Sequence, residues 1–191
     1  MTLSPSDAFQ RLLEVLDRME VPYLVGGSVA SSIHGITRPT MDADLVVDLR
    51  PDQIAEFAAL LHPDFYLDLE TIREALSRAR SFNLIHLATT FKIDVFPLRK
   101  DEYSRVSFAR RGYSESHSFG PKPIACAVAS AEDTILRKLE WYRAGGETSE
   151  RQWNDLRGIL KVSGAKLDRE YLRRWAAHLK VDELLDQLLH E

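Results

Sequence analysis

The sequence predicts an α/β or α+β fold, in which short strands and helices mix early and helices dominate late. Short apolar runs bounded by Gly, Pro and Thr occur before residue 97, whereas apolar residues recur at helical spacing after residue 130. The length of 191 residues fits one domain, or one domain with a helical appendage. We therefore expect a mixed α/β core over residues 1–128 and a helical C-terminal subdomain over 129–191.

The first elements follow from apolar spacing and from turn residues. Ser6 is expected to cap a helix with one apolar face, made of Phe9, Leu12, Leu13, Val15, Leu16 and Met19. Residues 23–25 predict a short buried strand that ends at Gly26 and Gly27, and Ser28 is placed to cap a second helix.

The middle of the chain predicts two further groups of elements. Residues 42–48 alternate between acidic and apolar side chains, which is typical of a strand with one polar face. The elements predicted next are a helix from Pro51 to Leu61, a helix over 71–79, and strands over 83–88 and 91–96 that a tight Thr89-Thr90 turn joins. Residues 99–123 favour no element, and helices are expected over 131–142, 150–162, 168–178 and up to about Leu189.

Composition excludes several classes of protein. A single cysteine, Cys126, permits no intramolecular disulfide and suits a reducing cytoplasm. Neither a signal peptide nor a run of about 20 apolar residues is present, so we expect a cytoplasmic protein without a membrane partner. The net charge of −4 argues against nonspecific coating of nucleic acid. Residues 96–130, however, carry six basic and three acidic side chains, a balance of +3.

Three aspartates have the pattern of a metal site. Asp42 and Asp44 lie two positions apart on one predicted strand, so both carboxylates point to the same sheet face. Asp94 is a further acid inside an apolar strand, which pairing could bring beside them. Close carboxylates repel each other unless a cation lies between them, and Mg²⁺ prefers such hard oxygen ligands. Phosphate oxygens could bind at the segment Gly26, Gly27 and Ser28. The glycines permit close approach of the backbone, and Ser28 offers a hydroxyl at the N-terminus of a helix.

These residues resemble a known signature. Residues 24–28 (LVGGS), followed after thirteen residues by 42–45 (DADL), resemble the Gly-Ser…Asp-x-Asp motif of the DNA polymerase β-like nucleotidyltransferase superfamily, and Asp94 fits its third carboxylate. The resemblance implies the nucleotidyltransferase fold, a small mixed β-sheet flanked by helices with a helical C-terminal part. It also implies that Asp42 and Asp44 bind two Mg²⁺ ions, or Mn²⁺ in their place, and that Asp94 completes the site near the attacking hydroxyl.

A second set of residues resembles the AbiEii-type and MenT-like subgroup, some of whose members are toxins of toxin–antitoxin pairs. Arg38 and Thr40 resemble the arginine and threonine that precede the aspartates there. Lys138 resembles a helical lysine that contacts NTP phosphates, and Asp155 resembles an acid that supports the lysine or helps to bind nucleotide. Residues 62–90 and 99–123 carry no part of the resemblance, so they would be free to select the acceptor.

Each of these side chains also has a purely structural interpretation. Asp155 could pair with Arg151 four positions earlier on the same helix, which the spacing slightly favours. Lys138 could be a surface lysine and Arg38 a loop ion-pair partner. Cys126 is expected in the core. The three tryptophans are expected to pack between helices rather than to stack on bases: Trp141, Trp153 and Trp175. The six histidines lack ligand spacing, so zinc is not expected.

The joint pattern of three aspartates and the glycine–serine segment predicts an enzyme that moves NMP from an NTP to a hydroxyl acceptor. RNA such as tRNA, or a protein, is the expected acceptor, and a cognate antitoxin is the partner that the subgroup implies. Two alternatives stay open: a non-catalytic nucleotide-binding or interaction module of the same fold, and a nucleotidyltransferase acting on a small, aminoglycoside-like molecule. A polyanionic acceptor would give a steep salt dependence, whereas a small molecule would not.

Overall fold

A computed structural model describes residues 4–120 and 122–191, and its centre is a mixed sheet. The strands are β1 Tyr23–Val25, β2 Asp42–Val47, β3 Phe65–Tyr66, β4 Phe82–His86, β5 Lys92–Pro97, β6 Gly112–Ser116 and β7 Ile124–Val128. Their order across the sheet is β3-β4-β5-β2-β1-β7-β6. Strand β2 pairs with β5 in parallel and β1 pairs with β7 in parallel, whereas the other neighbours are antiparallel. The predicted α/β class, with a mixed sheet flanked by helices, is confirmed.

Helices cover the sheet and form the C-terminal part. They are α1 Pro5–Arg18, α2 Gly27–His34, α3 Ile54–Leu61, α4 Leu69–Arg78, α5 Glu102–Ala109, α6 Ala131–Ala144, α7 Glu150–Ser163, α8 Arg169–Leu179 and α9 Asp182–Leu189, with short 3-10 turns at Pro51–Gln53 and Gly164–Lys166. None of the helices in the described part of the chain is both long and apolar enough to span a membrane.

The two faces of the central strands have different environments. Ala43 and Leu45 of β2 are fully buried, in a cluster with side chains of α1, α3 and α4. Asp42, Asp44 and Val46 alternate with them and therefore point to the opposite face. On that face, Val46 packs against a small cluster that includes Phe108 of α5. The polar face of β2, which carries Asp42 and Asp44, therefore lies on the same side of the sheet as α5.

A second core cluster holds the C-terminal helices together. It contains apolar side chains of α6, α7, α8 and α9, among them Ile135, Leu156, Leu172 and Leu185. Tyr103 of α5 belongs to the same cluster, although it precedes residue 128. The division into residues 1–128 and 129–191 therefore stays a prediction.

Two predicted helix caps were wrong. Helix α1 begins at Pro5, because Ser4 and Asp7 form a reciprocal capping box in which the Asp7 N–H donates to the Ser4 hydroxyl over 3.2 Å. Ser4 therefore replaces Ser6 as the cap. Helix α2 begins two residues earlier than predicted, at Gly27, with Gly26 rather than Ser28 as its cap. Ser28 thus lies in the first turn of α2, where its hydroxyl is free to bond a neighbouring side chain.

Candidate active site

Pairing of β2 with β5 brings the three predicted aspartates onto one sheet face. In the parallel register Asp44 lies directly opposite Asp94, and Asp42 lies two residues earlier on β2. All three are partly exposed, whereas Ala43 and Ile93, their neighbours in sequence, are fully buried. The fold therefore gathers carboxylates that are 50 residues apart in the chain into one acidic cleft.

The electrostatics of Asp44 reflect this crowding. The pKa of Asp44 is raised to about 6, first by burial and then by the charges of Asp42 and Asp94, while the charges of Lys138 and Lys92 act to lower it. A divalent cation between these groups would relieve the repulsion. The oxygen donors suit Mg²⁺. In residues 4–120 and 122–191, however, no three acidic, histidine or cysteine side chains lie close enough to hold a metal ion together.

Two of the three carboxylates are in contact with other polar groups. The Thr40 hydroxyl donates to the Asp42 carboxylate over 2.8 Å, and the Lys92 ammonium lies 3.0 Å from the Asp94 carboxylate. A bound ion would compete with both contacts. Lys92 was missed at the level of sequence, although the alternation of Lys92 and Asp94 on one strand places both on the same face.

Gly27 lies against the carboxylate of Asp44. Its φ is +53°, in the left-handed region, and an added Cβ would overlap the Asp44 side chain. The backbone N–H of Gly26 donates to the Asp44 carbonyl over 2.9 Å, which fixes the turn against β2. Glycine at position 27 therefore brings the N-terminal end of α2 beside the acidic cleft.

Replacing Gly27 by alanine is expected to lower the free energy of unfolding by at least about 1–2 kcal/mol, because an L-residue is strained at this φ and its Cβ meets Asp44. Displacement of Asp44 should also reduce any activity that depends on that carboxylate. Urea unfolding followed by circular dichroism measures the first effect. Gly26→Ala is the matched control, since Gly26 has a negative φ and open space around its Cα; equal losses in both variants would contradict the prediction.

A cationic cluster forms beside the cleft around Asp155 of α7. Arg38, in the loop after α2, donates to both Asp155 carboxylate oxygens over 2.8 Å, and Lys138 of α6 donates to one of them over 2.8 Å. Arg38 also donates to the Ser28 hydroxyl over 3.0 Å. Burial would raise the pKa of Asp155, but the hydrogen bonds from Arg38 and Lys138 lower it below its usual value. The cluster joins the loop before β2 to the C-terminal helices.

The contacts and the burial of these side chains test the structural interpretations that the sequence left open. Asp155 pairs with Arg38 and Lys138, so the predicted pairing with Arg151 is wrong. Lys138 is only 8% exposed, so it is not a surface lysine. Cys126 is buried, as predicted. Of the tryptophans, Trp153 and Trp175 are buried as predicted, but Trp141 is 54% exposed, so the prediction of helix packing is wrong for Trp141.

Comparisons with known proteins bear on the fold. No family model matches the sequence, and no curated protein matches it. Among solved structures, an antigenic nucleotidyltransferase-like protein from Paracoccidioides brasiliensis superimposes with a TM-score of 0.53 at 17% identity, over 98% of this chain and 94% of that one. The chain has the nucleotidyltransferase fold.

Two further nucleotidyltransferase-fold structures match over most of their length. The antibiotic-resistance factor ANT(2'')-Ia gives a TM-score of 0.52 at 16% identity, over 99% of this chain and 100% of that one. The lincosamide antibiotic adenylyltransferase LnuA, in a lincomycin-bound structure, gives a TM-score of 0.52 at 12% identity, over 81% of this chain and 96% of that one. At these identities the likeness concerns the fold, and the choice of substrate depends on the site itself.

Proposed function

We propose that the protein is a Mg²⁺-dependent nucleotidyltransferase that moves NMP from an NTP to a hydroxyl acceptor. The observation that carries the proposal is the position of Asp42, Asp44 and Asp94 on one sheet face, beside the N-terminal end of α2. In this proposal residues 1–128 form the catalytic core, and the subdomain 129–191 contributes Lys138 and Asp155.

In this proposal, different residues bind the metal ions and the triphosphate. Asp42 and Asp44 would hold two Mg²⁺ ions, with Asp94 as a further ligand, and the ions supply neutralisation of charge on the phosphate oxygens. The glycine–serine turn and the cations would bind the triphosphate: Gly26, Gly27, Ser28, Arg38 and Lys138. Thr40 orients Asp42, and Asp155 orients Arg38 and Lys138.

The proposed reaction forms a bond between the acceptor oxygen and the α-phosphorus and breaks the α–β phosphoanhydride, so pyrophosphate leaves. In this proposal Asp94 of β5 would take the proton of the acceptor hydroxyl. Its ion pair with Lys92 holds the carboxylate in place until the acceptor or an ion displaces the ammonium.

For the acceptor we propose RNA such as tRNA, or a protein, in the cytoplasm, as the AbiEii-type and MenT-like resemblance implies. The exposed cations Arg99 and Lys100, just after β5, and Arg105, on α5, would suit a polyanion. A toxin role with a cognate antitoxin belongs to this proposal. A small-molecule acceptor is the second candidate, and it is favoured by the nearly complete overlap with ANT(2'')-Ia and by the lincosamide enzyme LnuA.

Label transfer tests the proposal. Purified protein is incubated with Mg²⁺ and each of four α-labelled NTPs, together with total RNA, a protein extract, or a panel of aminoglycosides and lincosamides. Label is expected on one acceptor class with the wild type, whereas Asp42→Asn should reduce transfer at least about a thousandfold, because it removes a ligand from the metal pair. EDTA should have the same effect.

The control is Asp48→Asn, which makes the same change of charge at an exposed position just after β2 and should leave transfer unchanged. Unchanged transfer in Asp42→Asn would contradict the mechanism. Mg²⁺-dependent NTP binding without label on any acceptor would favour the non-catalytic nucleotide-binding module. A steep fall of transfer with salt would identify a polyanionic acceptor.

A further inference from the structure

An aromatic pair lies next to the proposed site. Trp141 of α6 is 54% exposed, and its ring lies 6.2 Å from that of Phe96 of β5, measured between centroids, with 63° between the planes. An edge-to-face pair of this kind leaves part of the indole face open to solvent. A single exposed apolar residue is ordinary on a protein surface, so the position of this pair in the fold decides its meaning.

Both rings are tied to residues of the cleft. Phe96 follows Asp94 by two positions on β5, so the two side chains share a sheet face. Trp141 follows Lys138 by three positions on α6, so these two share a helix face. The positive charge of Lys138 in turn acts to lower the pKa of Asp44. The pair therefore lies beside the aspartates, where β5 meets α6.

We propose that Trp141 and Phe96 form a stacking surface for the base of the NTP; this inference rests on the proposed function. The argument for the base is the position of Lys138, which would hold the triphosphate one helical turn from the indole ring. A base is attached to that triphosphate through the ribose, and its planar ring fits an open indole face. Stacking depends little on which base is present, so all four NTPs should benefit.

The test compares ligands that differ in the base. Binding of ATP, GTP, CTP and UTP, and of inorganic tripolyphosphate, is measured by calorimetry in the presence of Mg²⁺. Trp141→Ala should weaken binding of the tightest NTP at least about tenfold, since one stacked base contributes that much, and should leave tripolyphosphate binding within about twofold. Trp141→Phe should recover most of the NTP affinity.

The matched control is Tyr113→Ala, which removes an even more exposed ring, 82% accessible, from the edge strand β6. It should change neither affinity. Lys138→Met, by contrast, should weaken both ligands, because it removes the phosphate contact itself. Intrinsic fluorescence gives a second readout: NTP should quench the indole of Trp141 in the wild type and should quench far less in Trp141→Phe, because Trp153 and Trp175 are buried.

Other outcomes overturn the inference. Equal weakening of NTP and tripolyphosphate in Trp141→Ala would show that the ring acts only by positioning Lys138. Unchanged NTP binding with a higher KM for the acceptor would assign the rings to the acceptor instead. A wild-type protein that binds neither NTP nor tripolyphosphate would contradict the proposed function, whereas one that binds both with the same affinity would contradict the stacking surface alone.

Discussion

Replacing Asp44 by asparagine is expected to abolish nucleotidyl transfer while making the metal-free protein more stable above pH 6. Transfer should fall at least about a thousandfold, equivalent to about 4 kcal/mol of barrier, because one of the two shared metal ligands is lost. The gain in stability has a separate cause. Burial and two neighbouring carboxylates make the charged form of Asp44 unfavourable in the folded protein, and the neutral amide removes that cost.

The sign of the pH dependence follows from the raised pKa. Asp44 titrates at about 6 in the folded protein and near 3.9 in an unfolded chain, so between these values the folded state binds more protons. The proton that the folded state holds on Asp44 therefore stabilises the wild type. This stabilisation is fully present below about pH 4 and is lost as the pH rises through 6. The difference between these two pKa values corresponds to at most about 3 kcal/mol.

Urea unfolding in EDTA at pH 5 and pH 8 measures this effect. The free energy of unfolding of Asp44→Asn should exceed that of the wild type by about 1–3 kcal/mol at pH 8, and the difference should shrink at pH 5. Asp48→Asn, at an exposed position, should show no such gain. Equal stability of Asp44→Asn and the wild type at pH 8 would show that Asp44 is well solvated, and Mg²⁺ should then raise the melting temperature of the wild type little.

Replacing Asp155 by leucine is expected to lower the free energy of unfolding by about 3–5 kcal/mol. The Asp155 side chain is 8% exposed and the Lys138 side chain 10%, so the substitution leaves a buried ammonium and the Arg38 guanidinium without their common partner. NTP binding should weaken as well, because Arg38 and Lys138 lose the group that orients them. Urea unfolding and NTP calorimetry measure the two effects.

The matched control breaks an ion pair that is better solvated. Arg11 and Asp64 lie 2.9 Å apart with both side chains 38% exposed, so Asp64→Asn should cost no more than about 1 kcal/mol. A similar small loss in Asp155→Leu would show that water replaces the carboxylate and that the cluster does not hold the C-terminal helices to the core.

The fold could be predicted where the apolar pattern is strong. It could not be predicted where the buried residues are polar. The strands predicted over 83–88 and 91–96 lie at Phe82–His86 and Lys92–Pro97. No element was predicted over 99–123, although α5 and β6 lie there. Helix α5 buries Ser104 and Ser107 beside its apolar residues, which hides its periodicity. Strand β6 is an edge strand of largely polar sequence, stabilised by pairing with β7 rather than by an apolar face.

The site shows the same division. Alternation along β2 was enough to place Asp42 and Asp44 on one face, and an acid within an apolar strand pointed to Asp94. The partner of Asp155 was not predictable, because Arg38 is 117 residues away in the chain and Arg151 lies on the same helix. Helical spacing favours local pairs, whereas the packing of α7 against the loop after α2 selects the distant one. The exposure of Trp141 likewise depends on packing that no spacing reveals.

The parallel register of β2 and β5 has a consequence for variation in this chain. Asp44 and Asp94 meet through strand pairing, and two of the elements between the two strands, β3 and β4, form one edge of the sheet. Insertions there would lengthen a connection without moving either carboxylate, and doubling a loop costs only about 0.6 kcal/mol in closure entropy. Natural relatives should therefore differ widely in the number of residues between these two aspartates, and a search that fixes that spacing would overlook them.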